Sequence, residues 1–255
     1  MKYRKQISLI LIYLCLVGLS GYGHGAGLYL KQKSVLDPEN ENEARLNRLQ
    51  PPEEVLKAVG ITKGMTVAEI GAGRGRYVVQ LAVRVGEIGK VYAEDIDAAA
   101  LSHLKNRCEQ WGLENVEIIL GEVIDPKLPE GKLDLIFVIS SYHHFDDPVS
   151  LLRTALSALK PEGKLAVVEW IPWNKNDHEG TTPEKMKAEM NDAGYILERT
   201  ESINVAKKLN IYIFKMKDSY PFYLYFPEAD LMNSVRSFFS LAREGLRMYI
   251  MCPAL

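Results

Sequence analysis

At 255 residues, with 47% hydrophobic and 25% charged side chains, the chain has the composition of a globular protein with enough apolar material for one substantial core. A formal net charge of -2 gives no global pull toward nucleic acid or anionic lipid, so no polyanionic partner is indicated. The three cysteines, Cys15, Cys108 and Cys252, form no Cys-x-x-Cys or Cys/His pattern, so neither a metal site nor a disulfide framework is expected.

Lys2, Arg4 and Lys5 precede an apolar run over residues 7–23, the layout of a signal peptide or membrane anchor. Residues 1–30 are therefore expected to form a hydrophobic helix that associates with a membrane or directs export, with a cytoplasmic orientation of the rest left open. Residues 31–50 turn polar, with Asp37, Pro38, Glu39, Asn40, Glu41 and Asn42 in succession, and read as a linker. The folded domain is expected over 51–217, opening with a short helix from Pro51 that Gly60 closes.

Beyond it, short β-branched runs alternate with helical stretches. Thr66 to Ile70, Val91 to Ala93, Val116 to Leu120, Leu133 to Ile139 and Leu165 to Val168 read as buried parallel strands. Tyr77 to Val85, Ala98 to Trp111 and Val149 to Leu159 read as the helices between them, with Asp97 as an N-cap. A later helix starts at Thr182-Pro183 and ends at Gly194; two strand-like runs, Tyr195 to Ile203 and Leu209 to Lys215, then follow closely enough to pair antiparallel. Residues 218–255 hold an aromatic stretch and then apolar residues from Leu231 to Tyr249 at helical spacing, a C-terminal helical extension. The expected fold class is α/β: a Rossmann-like, doubly wound, mainly parallel sheet with an antiparallel last strand.

Chemistry concentrates at strand ends. Glu69 closes the first strand, and Gly71, Gly73 and Gly75 make a turn that opens a helix, where backbone can approach a ligand closely. Glu94 and Asp95 end the second strand, about 20 residues past the last glycine, where a carboxylate can accept both hydroxyls of a ribose. Gly121 and Glu122 follow the third strand. Ser140, Ser141, Tyr142, His143, His144, Phe145, Asp146, Asp147 and Pro148 follow the fourth, on the side of the sheet where open α/β proteins place their ligands.

Glu69 with Gly71, Gly73 and Gly75 resembles the first motif of class I S-adenosylmethionine-dependent methyltransferases, and the His-His-x-x-Asp-Pro stretch resembles that of the small-molecule, ubiquinone/menaquinone type. The resemblance spans about Pro51 to Lys217. It implies S-adenosylmethionine as cofactor, held by Glu69, Gly71, Gly73, Gly75, Asp95, Glu122 and Ser140, with Asp95 on the ribose, Glu122 near the adenine and Glu94 pointing elsewhere. It also implies methyl transfer to a small-molecule acceptor, with His143 as the base and His144 anchoring the loop. Glu169 and Trp170, at the end of the fifth strand, are expected to face the same crevice. Two other readings stay open at this point: an NAD(P)-binding oxidoreductase, although Arg76 stands where a G-x-G-x-x-G pattern would continue, and a non-catalytic cofactor-binding or interaction protein on the same fold. The acceptor and the oligomeric state are not legible.

Overall fold

The β-branched runs assemble into a seven-stranded sheet in the computed structural model, which describes residues 35–172, 180–204 and 208–217. The strands are β1 (Thr66–Ile70), β2 (Lys90–Asp95), β3 (Val116–Leu120), β4 (Leu133–Ile139), β5 (Leu159–Trp170), β6 (Tyr195–Asn204) and β7 (Lys208–Met216), in the order β3-β2-β1-β4-β5-β7-β6. Pairings from β3 through to β5 are parallel, and β7 runs antiparallel to β5. This is the Rossmann-like, mainly parallel sheet with an antiparallel strand that the sequence pattern predicts. Because the chain moves outward from β1 to β3 and then returns to place β4 on the other side of β1, a crevice opens beyond the carboxyl ends of β1 and β4.

Helices cover both faces, as a sheet buried on two sides requires. On one face α2 (Pro52–Val59), α3 (Val78–Val85) and α4 (Ala98–Trp111) pack Val55, Leu56, Leu81, Val85, Leu101 and Leu104 against Val67, Val91, Leu135 and Phe137 of the strands. On the other, α5 (Pro148–Ala155) and α6 (Pro183–Ala193) bury Leu151, Leu152, Met186 and Met190. The expected stops and starts are used. The Asp97 carboxylate accepts from the N–H groups of Ala99 and Ala100, the Thr182 hydroxyl accepts from Lys185 N–H, and Gly60 and Gly194 end their helices in the left-handed conformation.

Three features depart from the expected layout. The segment read as a polar linker contains a helix, α1 (Glu41–Leu49), capped by Asn40. Its docking residue is Glu43, a carboxylate that hydropathy scores as solvent-facing but that is buried against Arg107 of α4. Helix α5 stops at Ala155, and a 3₁₀ turn at Leu156–Ala158 leads into a β5 that begins at Leu159, six residues before its apolar run. A register shift between Leu133 and Leu135 lets β4 follow that longer strand. Among the described residues no helix is long and apolar enough to cross a membrane; the hydrophobic segment at 7–23 and the C-terminal helical extension lie outside the described residues.

Candidate active site

The turn after β1 is pinned by its backbone. The N–H groups of Gly71 and Ala72 both donate to the Glu94 carbonyl, at 3.0 and 2.8 Å, and Gly71 takes φ +77 with Ser141 packed where a side chain would begin. Gly73, at φ +53, donates its N–H to Asp95 Oδ2 at 2.7 Å, while Asp95 Oδ1 accepts from Asp97 N–H at 2.9 Å. Asp95 thus clasps both the glycine turn and the approach to α4. Gly75 serves packing: a Cβ there would lie 2.2 Å from Leu104 Cδ1.

Beyond the strand ends lies a cavity of about 330 Å³. Gly71, Glu94, Asp95, Glu122 and Ser140 line it, together with Ile96 and Val123, whose exposed apolar side chains offer flat contact to a ring. Glu69, Gly73 and Gly75 stand behind this wall rather than in it. Of the two adjacent histidines it is His144 that lines the cavity; His143 lies against it with ring centroids 4.0 Å apart. Glu94, expected to point elsewhere, also lines the cavity. Glu94 stands beside Asp95 at the carboxyl end of β2, but alternation alone does not reveal which space a strand-end side chain enters.

The charges decide which ligand suits the cavity. Among the described residues Glu94, Asp95, Glu122 and Asp146 line it, and neither lysine nor arginine does. A pyrophosphate would meet carboxylates, and the Gly73 N–H it would need is already held by Asp95. A cationic nucleoside with free hydroxyls fits the same set.

Burial shapes the acids further. The Glu69 carboxyl is raised well above its ordinary range, by desolvation first, against the pull of Arg76, and its Oε2 meets no hydrogen-bond partner among the described residues. The Arg76 guanidinium lies over the Tyr77 ring at 4.5 Å and donates to Asn47 and to Gln50, and Gln50 donates in turn to the Ser140 hydroxyl. Ser140 holds a left-handed backbone at φ +50, a costly conformation for a residue with a side chain and one that concentrates at functional sites. Gln50, one residue before the expected domain start, therefore holds a residue of the cavity wall, and nothing in its local sequence signals that. Glu122 pairs with Lys127 at the cavity's outer edge.

Burial, and then the neighbouring Asp95, push the Glu94 carboxyl up to about 8 from an ordinary value of 4.5. Between those values the folded chain keeps a proton that the unfolded chain has lost, so this group's contribution to stability declines as pH rises through the window. Glu94→Gln is expected to remove about 1 to 2 kcal/mol of the fall in stability between pH 6 and pH 8, read from urea midpoints. Parallel decline of both proteins would refute the assignment.

Behind His144, the His143 Nδ1 lies 2.9 Å from Glu169 Oε2, and the carboxylate's other oxygen accepts from Trp170 N–H at 2.9 Å. The Glu169 side chain is fully buried at the end of β5. In the tautomer that carries its proton on Nδ1, the ring donates to Glu169 and keeps Nε2 as its acceptor atom.

A family model described as a methyltransferase domain matches residues 61–218, more than half of the chain. The chain belongs to the methyltransferase domain family. A solved S-adenosylmethionine-dependent methyltransferase from Aquifex aeolicus is 30% identical and superposes with a TM-score of 0.61, covering 72% of this chain and 96% of that one. A demethylmenaquinone methyltransferase of Listeria welshimeri is 25% identical over 116 residues, 46% of this chain and 49% of that protein. The ubiquinone/menaquinone biosynthesis C-methyltransferase UbiE of Escherichia coli is 29% identical over 112 residues, 44% and 45% of the respective lengths. The chain thus spans about half the length of the curated relatives it matches. The cofactor is S-adenosylmethionine, and the acid-lined cavity suits a ligand that carries a sulfonium and ribose hydroxyls.

Proposed function

We propose that the chain transfers a methyl group from S-adenosylmethionine to a small acceptor whose nucleophile carries an acidic proton, such as a hydroxylated aromatic or a quinol. The observation that carries this reading is the His143–Glu169 pair beside the acid-lined cavity. The demethylmenaquinone and ubiquinone/menaquinone methyltransferases among the relatives favour a quinol-like acceptor.

When bound, S-adenosylmethionine supplies an electrophilic methyl on a sulfonium. The chain's own residues hold and orient. Asp95 would take the ribose hydroxyls, and Glu122 would meet the adenine side. Gly71 and Ser140 present backbone at close range, while Glu69, Gly73 and Gly75 fix the shape of the turn behind them. His143 Nε2 accepts the acceptor's proton as the nucleophile attacks, and Glu169 holds Nδ1–H so that Nε2 stays free. Alignment and exclusion of water supply the rest of the acceleration.

An NAD(P)-dependent oxidoreductase fares worse against the same cavity, because its walls repel a pyrophosphate. Calorimetry of the purified full-length chain in detergent separates the two: micromolar binding of S-adenosylmethionine and S-adenosylhomocysteine with none of NAD is expected. In the same experiment Asp95→Ala weakens S-adenosylhomocysteine by an amount equivalent to about 1.5 to 3 kcal/mol, the scale of hydrogen bonds to a charged group. Tight NAD binding without either sulfur ligand would overturn the proposal, and unchanged affinity in Asp95→Ala would remove Asp95 from the ribose.

A further inference from the structure

Glu94 sits where an acid is hard to justify on folding grounds alone. It is 2% exposed at the end of β2, and the charged side chains that act on it, Asp95 and Asp125, are both acids. Burying a carboxyl without a cationic partner is costly, and an apolar residue would fill the space at lower cost. Yet the surroundings are fitted to it. Gly121, at the end of the neighbouring β3, leaves space that the carboxyl uses, since a Cβ there would lie 1.9 Å from Glu94 Oε1. On the other side lies Gly71, whose N–H donates to the Glu94 main-chain carbonyl at 3.0 Å. The group is therefore held between the ends of β1 and β3, in the wall of the cofactor cavity.

We infer that Glu94 is a further cofactor-binding residue, one whose carboxyl hydrogen-bonds the nucleoside half of S-adenosylmethionine between Asp95 and Glu122. The inference rests on the cofactor reading above and adds a contact that neither the glycine turn nor the strand-end Asp95 supplies. Kept neutral by burial up to about pH 8, the group both donates and accepts. It can therefore satisfy a heteroaromatic base or a hydroxyl without adding a charge beside Asp95. Ionised, it loses its donor and repels Asp95, so cofactor affinity falls as pH rises through that range. The groups that share its surroundings are Asp95 on β2, Glu122 and Asp125 after β3, His144 and Asp146 after β4, and the Gly71 N–H after β1.

The test is calorimetry of the full-length wild type, Glu94→Gln and Glu94→Ala with S-adenosylhomocysteine at pH 6.5 and pH 9. Glu94→Ala, which loses both donor and acceptor, is expected to bind about tenfold more weakly at pH 6.5. Glu94→Gln keeps a donor and an acceptor at both pH values. Taking the ratio of wild-type to Glu94→Gln dissociation constants cancels the titration of the ligand and of the neighbouring groups, and this ratio is expected to rise about tenfold between the two pH values. Either a folded Glu94→Ala that binds like the wild type or a ratio that does not change with pH overturns the inference; if Glu94→Ala fails to fold, the ratio decides alone. A wild type that binds no S-adenosylhomocysteine at either pH brings down the cofactor reading itself, a different and separately visible result.

Discussion

Glu43→Ala is expected to destabilise the folded chain by about 3 to 5 kcal/mol, because it strands a buried guanidinium. Arg107, on α4, has a side chain only 2% exposed; Glu43 Oε1 lies 2.9 Å from its Nη2 and Glu43 Oε2 lies 3.3 Å from its Nη1. With Glu43 removed, the remaining acid is Glu39, 3.6 Å from Nε and already bonded to His103. The Arg107 Nε finds no hydrogen-bond partner among the described residues even with both acids present. Glu43→Gln, which keeps an acceptor but not the charge, should fall between. Guanidinium unfolding monitored by circular dichroism reads the difference, and a loss below about 1 kcal/mol, the scale of an exposed pair, would mean that Glu39 takes over the guanidinium. The same variant has a functional consequence. Helix α1 leads directly into Gln50, which holds both Arg76 and the Ser140 hydroxyl, so loosening α1 from α4 should also weaken cofactor binding.

This coupling marks the boundary of what the sequence makes legible. The parallel core of the sheet is readable because its strands are buried on both faces and so appear as largely apolar runs, Leu135 to Ile139 most plainly. The crevice is readable because its acids and glycines stand at strand ends, where composition changes abruptly, as at Glu69 to Gly75 and at Asp95. Helix α1 is not readable as part of the domain, since its contribution to packing is an ion pair rather than an apolar stripe, and sequence does not show that Glu43 and Arg107, 64 positions apart, meet. Nor does it show that Glu94 enters the cavity beside Asp95, where Gly121, just after β3, leaves room for its carboxyl. The order of the two histidines follows the same rule. His143 and His144 are equivalent by composition, and only the 3₁₀ turn at Tyr142–His144 sends one ring to Glu169 and the other to the cavity.

That division between the histidines carries the second large expectation. If His143 is the base, His143→Gln lowers turnover by about 10²- to 10⁴-fold, the usual worth of a positioned proton acceptor, with the affinity for S-adenosylhomocysteine unchanged. Glu169→Gln tests the positioning role: it leaves the shape of the site but removes the charge that fixes the Nδ1 proton, and turnover should fall by about tenfold or more. A merely structural Glu169 would alter stability alone, so two readouts separate the roles. The first is the split between kcat and KM in methyl transfer to a dihydroxynaphthalene probe, where loss of a positioning role lowers kcat and leaves the KM for S-adenosylmethionine unchanged. The second is the nitrogen NMR signature of the His143 ring, which should report a proton on Nδ1 in the wild type and a mixture of tautomers in Glu169→Gln. It needs no acceptor, so it remains informative even if the probe is a poor substrate. A wild-type ring protonated on Nε2 would exclude His143 as the base and turn attention to His144, which already faces the cavity.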